Sequence, residues 1–282
     1  MNEDKDTVLL LGDIGVYAFR EVFNKHSSRV INIGILEQST IGTAAGMAMS
    51  GLKPIVYTIA PFLVERAYEQ LKIDLGYQNL NVKLISVGAS NDYSTLGPTH
   101  QCPADVAVLK QIPNMQIVTP GCDWEFNSLF TQTYNNGSPT YYRVVERTNE
   151  VANSVMFGKA NIMKYGTNAI VIAVGNLLDT VMMAVDDLNV LVLYYTTLEP
   201  FDYAAIETQL GNTKIANVVI VEPYYSGALV HDIASRISIP ARYKHIGIPH
   251  KFITNYGTYD EQMESFGLTV NNIHDEIKRF IT

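Results

Sequence analysis

The sequence predicts an α/β protein made of two doubly wound domains, each a mostly parallel sheet flanked by helices. Three observations carry that prediction. Short apolar runs recur along the whole chain, as strands buried on both faces require. Segments of helical periodicity separate them, so strand and helix alternate. The alternation breaks once, over residues 149–166 (NEVANSVMFGKANIMKYG), which lack a clear period. That break divides a first domain, 1–150, from a second, 160–282, both of ordinary domain size.

In the first domain, TVLLLGD (7–13), RVINIG (29–34), PIVYTIA (54–60), VKLISVG (82–88) and MQIVTP (115–120) are short and apolar, so each reads as a buried strand. PTYYRVVERTNEV (139–151) closes the unit. GVYAFREVFNKH, the Gly/Ala segment after Glu37, FLVERAYEQLKIDLGYQ and CDWEFNSLFTQTYNN supply the helices between strands. In the third of these, Leu63, Ala67, Leu71 and Leu75 recur every fourth residue, one apolar stripe. The second domain repeats the scheme. NAIVIAVGN (168–176), NVLVLYYTTLEP (189–200), NVVIVEP (217–223) and YKHIGIP (243–249) read as strands. Its helices are LLDTVMMAVDDL, DYAAIETQL, GALVHDIASRI and NNIHDEIKRFI.

Composition narrows the function classes. The 282 residues are 47% hydrophobic and 17% charged, ample for a core and unlike a disordered chain. A net charge of −8 leaves no basic footprint, so no nucleic-acid partner is expected. The apolar runs fall far short of the roughly 20 residues of a membrane span, so no membrane partner is expected either. Two cysteines, Cys102 and Cys122, make no disulfide framework, and the polar, acidic N-terminus has no signal-peptide layout. Both features fit a reducing, cytoplasmic compartment.

Chemistry is expected at the carboxyl ends of the first domain's strands, where open α/β sheets bind ligands. GILEQ, YTIAPFLVERAY and STLGPTHQ converge there. Glu37 follows the second strand and opens a helix whose Gly42, Ala44, Ala45, Gly46 and Ala48 allow close packing against something large. Taken singly, these residues have bland readings. Glu37 would stabilise a helix N-terminus, His100 would be a loop histidine, and Phe62 and Tyr57 would be core aromatics.

Taken together they are more specific. INIGILEQSTIGTAAGMAMSG, YTIAPFLVERAYEQ, GPTHQ and LKQIPNMQIVTPGCDWE follow one another in this chain. Their order and spacing resemble the pyrimidine-binding domain of transketolases and 1-deoxyxylulose-5-phosphate synthases. TTLEPFDYAAI and VIVEPYYSGALVHDIA resemble the family's C-terminal domain, so the resemblance covers nearly the whole chain. It implies thiamine diphosphate as cofactor. The family's glutamate hydrogen-bonds a ring nitrogen of the aminopyrimidine and favours the imino form, which takes the proton from the thiazolium carbon. Such a bond is strong in a low-dielectric crevice. By motif, Glu37 holds that position. The resemblance gives Phe62, with Tyr57 and Tyr68 nearby, as the aromatic wall of the pyrimidine, and sets Arg66 among the cofactor contacts. A further aromatic of that wall is replaced by Glu65. His100 matches the substrate-facing histidine that stabilises a developing alkoxide.

The family's diphosphate and magnesium are held by an N-terminal domain carrying Gly-Asp-Gly followed by Asn. LGDIG (11–15) does not supply it: Ile14 stands where glycine is needed, and no suitable asparagine is expected beside it. The resemblance therefore implies a split enzyme. This chain would give the pyrimidine half, and a diphosphate-binding N-terminal subunit would bring Mg2+, as an α2β2 assembly. Apolar surface around Glu37 and the Gly/Ala helix is the expected interface. The implied reaction moves a two-carbon ketol unit from a ketose donor to an aldose acceptor. Two departures bear on its sugar substrate: Leu96 and Gly88 stand where the family has Asp and a basic residue. ASNDYSTLG offers Asn91, Asp92 and Tyr93 instead, and Arg143 or Arg147 is the expected anion contact, weighed against an ordinary ion-pair role. The alternatives are a 2-oxo acid dehydrogenase β-chain and a non-catalytic scaffold of the same fold; GPTHQ favours the transketolase side. His231, His245, His250 and His274 lack metal-ligand spacing and are expected to be structural or exposed.

Overall fold

The computed structural model describes every residue except 213 and 214. Its strands are β1 (Thr7–Leu11), β2 (Val30–Asn32), β3 (Lys53–Ile59), β4 (Lys83–Val87), β5 (Gln116–Val118), β6 (Thr140–Arg143), β7 (Asn161–Lys164), β8 (Ile170–Val174), β9 (Leu191–Tyr195), β10 (Thr197–Glu199), β11 (Asn217–Tyr225) and β12 (Arg242–Ile248). A seven-stranded sheet runs β10-β5-β6-β4-β3-β1-β2, and a five-stranded sheet runs β12-β11-β8-β9-β7. Every pairing is parallel except β10 with β5 and β7 with β9, so each sheet carries one antiparallel edge. The short apolar runs form the central strands: β1, β8 and β9 are buried along their whole length. Residues covered on both faces need no polar alternation.

Three features depart from the sequence reading. Strand β7 lies inside the aperiodic stretch, because a half-exposed edge strand reading Asn-Ile-Met-Lys needs no apolar run. The run 189–200 is two strands, and the second, β10, leaves its sheet to pair with β5 of the other (Thr197 opposite Val118). A strand from the C-terminal half thus completes the N-terminal sheet. The stripe of Leu63, Ala67, Leu71 and Leu75 is wholly buried, as its period demands. Its backbone, however, is two π-turns, Phe62–Arg66 and Leu71–Tyr77, on either side of a short α-turn, Tyr68–Gln70. Single π-turns inside helices cluster at functional sites.

Among the described residues, no helix is long and apolar enough to cross a membrane. The seam between the sheets is polar and closely tied. Glu125 accepts hydrogen bonds from the Tyr194 hydroxyl (2.6 Å) and from the Gly121 and Asn153 amides. The Tyr225 amide donates to the Pro103 carbonyl across the same seam.

Candidate active site

Strand β2 ends in a turn at Gly34, whose φ of 85° lies in the left-handed region that favours glycine. The turn delivers Glu37 to the first position of the helix Glu37–Met49. There its carboxylate is 3% exposed. Oε2 accepts a hydrogen bond from Arg66 Nη1 at 2.9 Å, and Oε1 is buried with no partner among the described residues. A buried oxygen left in that state costs about 1–3 kcal/mol.

Arg66 and Phe62 belong to the same π-turn, and the guanidinium lies 4.2 Å from the centre of the Phe62 ring. Phe62 meets the His100 ring edge-on at 5.3 Å, and His100 meets Tyr93 edge-on at 6.2 Å. A row of rings therefore leads away from Glu37. His100 is fixed by its amide, which donates to the Gly97 carbonyl at 3.0 Å, and its Nδ1 lies 2.9 Å from Thr99 Oγ1. Tyr93 is seated on Gly88: any Cβ there would collide with the Tyr93 ring. The departure at Gly88 is thus what admits the aromatic ring beside His100, a relation hidden in the sequence because glycine carries no signal of what rests on it.

Several expected site residues lie elsewhere. Tyr57 projects against Phe19 (5.1 Å, edge-on) and lines an apolar cavity of about 370 Å³ with Phe126 and Val144. Burial raises its hydroxyl pKa. Tyr68 is partly buried and packs against the hydrophobic core. Among the described residues neither ring is in ring contact with Phe62, whose neighbours are the His100 ring and the Arg66 guanidinium. Asn91 is wholly buried, with both amide atoms lacking partners among the described residues. Asp92 Oδ2 accepts from the Glu146 amide (2.8 Å), and burial pushes its carboxyl up to about 7. Both side chains turn inward, and Asp92 Oδ1, like the Asn91 amide, is buried without a partner among the described residues.

The two candidate arginines separate cleanly. Arg143 is buried, its Nε donating to Asp105 Oδ2 at 2.8 Å while Nη2 reaches Ser90 Oγ and the Pro223 carbonyl. It ties the seam, and its Nη1 is buried without a partner among the described residues. Arg147 keeps 63% of its side chain exposed, 4.0 Å from Asp260 and over the Tyr259 ring. Asp13 in the LGDIG turn does have an asparagine beside it: Asn32 Nδ2 donates to its Oδ1 and Asn32 Oδ1 accepts from its amide, both at 3.0 Å. That pair closes a turn.

The mouth is bordered by apolar surface. Ile35, Leu36, Met49, Ile73 and Tyr77 are exposed around the outer face of the Glu37–Met49 helix. On that face a Cβ added at Gly46 would meet nothing, and one at Gly42 only Asp74 Oδ2 at 3.7 Å. The chain's own packing does not require these glycines. A half-paired carboxylate, an aromatic face and a histidine suit a flat heteroaromatic ring carrying a hydrogen-bonding nitrogen. Among the described residues there is no group of His, Cys, Asp and Glu that could hold a metal ion.

Two family descriptions match the sequence: the transketolase pyrimidine binding domain over residues 1–149 and the transketolase C-terminal domain over 158–273. The chain belongs to the transketolase family. Within it, the chain is 34% identical to an uncharacterized 33.6 kDa protein in the fasciation locus of Rhodococcoides fascians, over 100% of this chain and 91% of that protein. It is 30% identical to a subunit of the apulose-4-phosphate transketolase of Phocaeicola vulgatus, over 99% of this chain and 93% of that subunit. A 1-deoxy-D-xylulose-5-phosphate synthase of Pseudoalteromonas translucida is 31% identical, but this chain spans 42% of that enzyme. Two transketolase structures share the fold. One, a split-gene transketolase described as an inactive β4 tetramer, has a TM-score of 0.85 at 22% identity, covering 99% of this chain and 93% of that one. The other, the Campylobacter jejuni transketolase, has 0.82 at 19%, covering 98% and 44%. As a transketolase family member, the chain has the two mostly parallel, helix-flanked sheets of these neighbours.

Proposed function

We propose that this chain is the C-terminal subunit of a split, thiamine diphosphate-dependent transketolase. It would move a two-carbon ketol unit from a ketose to an aldose in the cytoplasm, with residues 1–150 as the pyrimidine half and 160–282 as its supporting domain. A diphosphate-binding N-terminal subunit brings Mg2+, and the pair assembles as α2β2. The observation that carries this reading is Glu37, a buried carboxylate with one oxygen still free beside an aromatic face.

When bound, thiamine diphosphate supplies a nucleophilic carbon that adds to a carbonyl and stores the electron pair released by bond cleavage. This chain's residues do the rest. Glu37 Oε1 shares a proton with the ring nitrogen, which relieves the orphaned oxygen. Phe62 covers the ring and excludes water. Thr99 Oγ1 and His100 Nδ1 lie within hydrogen-bond distance, and where the hydroxyl is the donor the ring proton sits on Nε2, the form that donates to a developing alkoxide. The apolar border and open glycine face suit an obligate partner surface. Similarity over nearly its whole length to a protein named as one subunit of a transketolase, and to a split-gene transketolase described as an inactive β4 tetramer, supports partner dependence.

The test is reconstitution with a co-purified partner carrying Gly-Asp-Gly…Asn. Cofactor binding should need both chains and vanish in Glu37→Ala, and hydroxypyruvate plus an aldose should turn over. Turnover of pyruvate with an electron acceptor instead would move the chain to the 2-oxo acid dehydrogenases. Undiminished activity in Glu37→Ala would end the reading.

A further inference from the structure

The least expected contact at the site is between Arg66 and Glu37, residues 29 positions apart. Three observations meet there. The carboxylate is asymmetric: Oε2 is taken by Arg66 Nη1 at 2.9 Å, and Oε1 has no partner among the described residues. The guanidinium is itself held, lying 4.2 Å from the centre of the Phe62 ring, the residue four before it. The backbone joining them, Phe62–Arg66, is a π-turn. Residues i and i+4 are neighbours on one face of an α-turn, and a turn closed by i→i+5 bonds keeps them so. The turn thus places the arginine on the ring and aims it at the carboxylate.

We propose that Arg66 is a positioning residue for Glu37, fixing the carboxylate through Oε2 so that Oε1 alone faces the cofactor ring. This rests on the function proposed above. A carboxylate swings about its last torsion, and one that must meet a single ring nitrogen gains from having its other oxygen anchored. An arginine suits the task better than a lysine: its planar fork stacks on an aromatic face while one N–H points along a fixed line. The 43% exposure of the Arg66 side chain leaves its remaining N–H groups hydrated, so anchoring strips little water from the cation.

The test uses the reconstituted pair and three variants. Arg66→Met keeps the stem and loses the fork, Arg66→Lys keeps the charge, and Glu37→Gln probes the underlying reading. Arg66→Met should lower kcat about 10- to 100-fold with little change in substrate KM, as expected for a misplaced catalytic group. It should also change the circular-dichroism band of the bound cofactor, and Arg66→Lys should recover part of both effects. Combining Arg66→Met with Glu37→Gln should add almost nothing to the loss in Glu37→Gln alone. Independently of the partner, the Arg66 guanidinium NMR resonances of this chain should shift in Glu37→Gln.

Wild-type kcat and an unchanged cofactor band in Arg66→Met, with Glu37→Gln inactive, would overturn the positioning role and leave the split-transketolase reading standing. Tighter cofactor binding in Arg66→Met would also overturn it, making the arginine a place-holder where the ring belongs. Full activity in Glu37→Gln would remove the underlying reading itself. Thermal melting and co-purification with the partner separate these results from misfolding.

Discussion

Buried carboxylates occur at the seam between the two sheets and at the mouth beside the Gly/Ala helix, and the chain treats them differently. At the seam, Glu125 Oε2 accepts from Gly121 and Tyr194 while Oε1 accepts from the amide and side chain of Asn153. Asp105 is equally occupied: Oδ2 takes Arg143 Nε and the Tyr141 hydroxyl (2.9 Å), and Oδ1 takes the Val106 amide. At the mouth, Glu37 is nearly as deep but only half satisfied. Burial alone therefore does not mark a functional acid. An oxygen left over is not enough either, since the wholly buried Glu222 also keeps Oε2 without a partner among the described residues; Glu37 stands apart because its orphaned oxygen lies beside exposed apolar groups.

The largest effect expected from that contrast is on stability, at the seam. Asp105→Ala leaves Arg143 charged, buried and without its carboxylate. Breaking a buried pair in this way costs about 3–5 kcal/mol. Urea denaturation should show the loss, and a change below about 1 kcal/mol would mean that the seam is not tied by this pair. Glu37→Gln should behave in the opposite way. Its unfolding midpoint should stay within about 1 kcal/mol of wild type, because only one bond to a half-exposed arginine is altered. Ketol transfer by the reconstituted pair should fall at least about 100-fold, the low end for a proton-transfer group. A variant that loses stability but keeps turnover would reverse the assignment of the two regions.

Much of this contrast was legible in the sequence and part was not. The strands could be read because residues such as Leu9, Leu10 and Leu11 lie on β1, covered on both faces, and need no alternating pattern. The positions of Glu37, Phe62 and His100 could be read because they sit in local motifs with fixed spacing. The direction in which a loop side chain points could not. Asn91 and Asp92 look like ligands in ASNDYSTLG, yet both fold inward. Arg143 follows two tyrosines on a strand, and only the parallel pairing of β6 with β4 sets it beside Ser90 and Asp105. The Arg66–Glu37 pair was equally hidden: a four-residue apolar repeat fits an α-helix and a π-turn alike, and nothing in the spacing says that Arg66 turns toward a residue 29 positions away.

Buried cations offer a second contrast. Arg143 has a carboxylate. Among the described residues Lys83 has only neutral acceptors, donating from Nζ to Asn136 Oδ1, the Ser138 carbonyl and Thr140 Oγ1 at 2.9–3.0 Å. Burial accordingly pushes the Lys83 ammonium down to about 7. Between that value and the ordinary lysine range near 10.5, the unfolded chain holds a proton that the folded chain has released. Lys83 therefore adds a contribution to stability that rises with pH across this window, by at most about 1.4 kcal/mol per pH unit, against the opposite contribution of Glu222, whose buried carboxyl is pushed up to about 8. Lys83→Met should flatten the rise between pH 7 and roughly 8.5, below the range of ordinary tyrosine titration. Melting curves of both proteins across that interval provide the check, and parallel slopes would show that Lys83 stays charged in the fold.

The smallest effect tests what the mouth is for. Gly46 sits inside the Glu37–Met49 helix, and a methyl group there would touch nothing among the described residues. An interior glycine costs a helix roughly 0.5–1 kcal/mol relative to alanine. Gly46→Ala should therefore raise the unfolding free energy of the isolated chain by about that amount. If a partner closes on this face, the same methyl group stands between two backbones and should weaken assembly, seen as a higher dissociation constant for the pair. Stabilisation of the chain together with loss of assembly would locate the interface on this helix. Gly46→Ala that stabilises the chain and assembles as wild type would place the partner elsewhere, and the exposed residues Ile35, Leu36 and Met49 would then need another explanation.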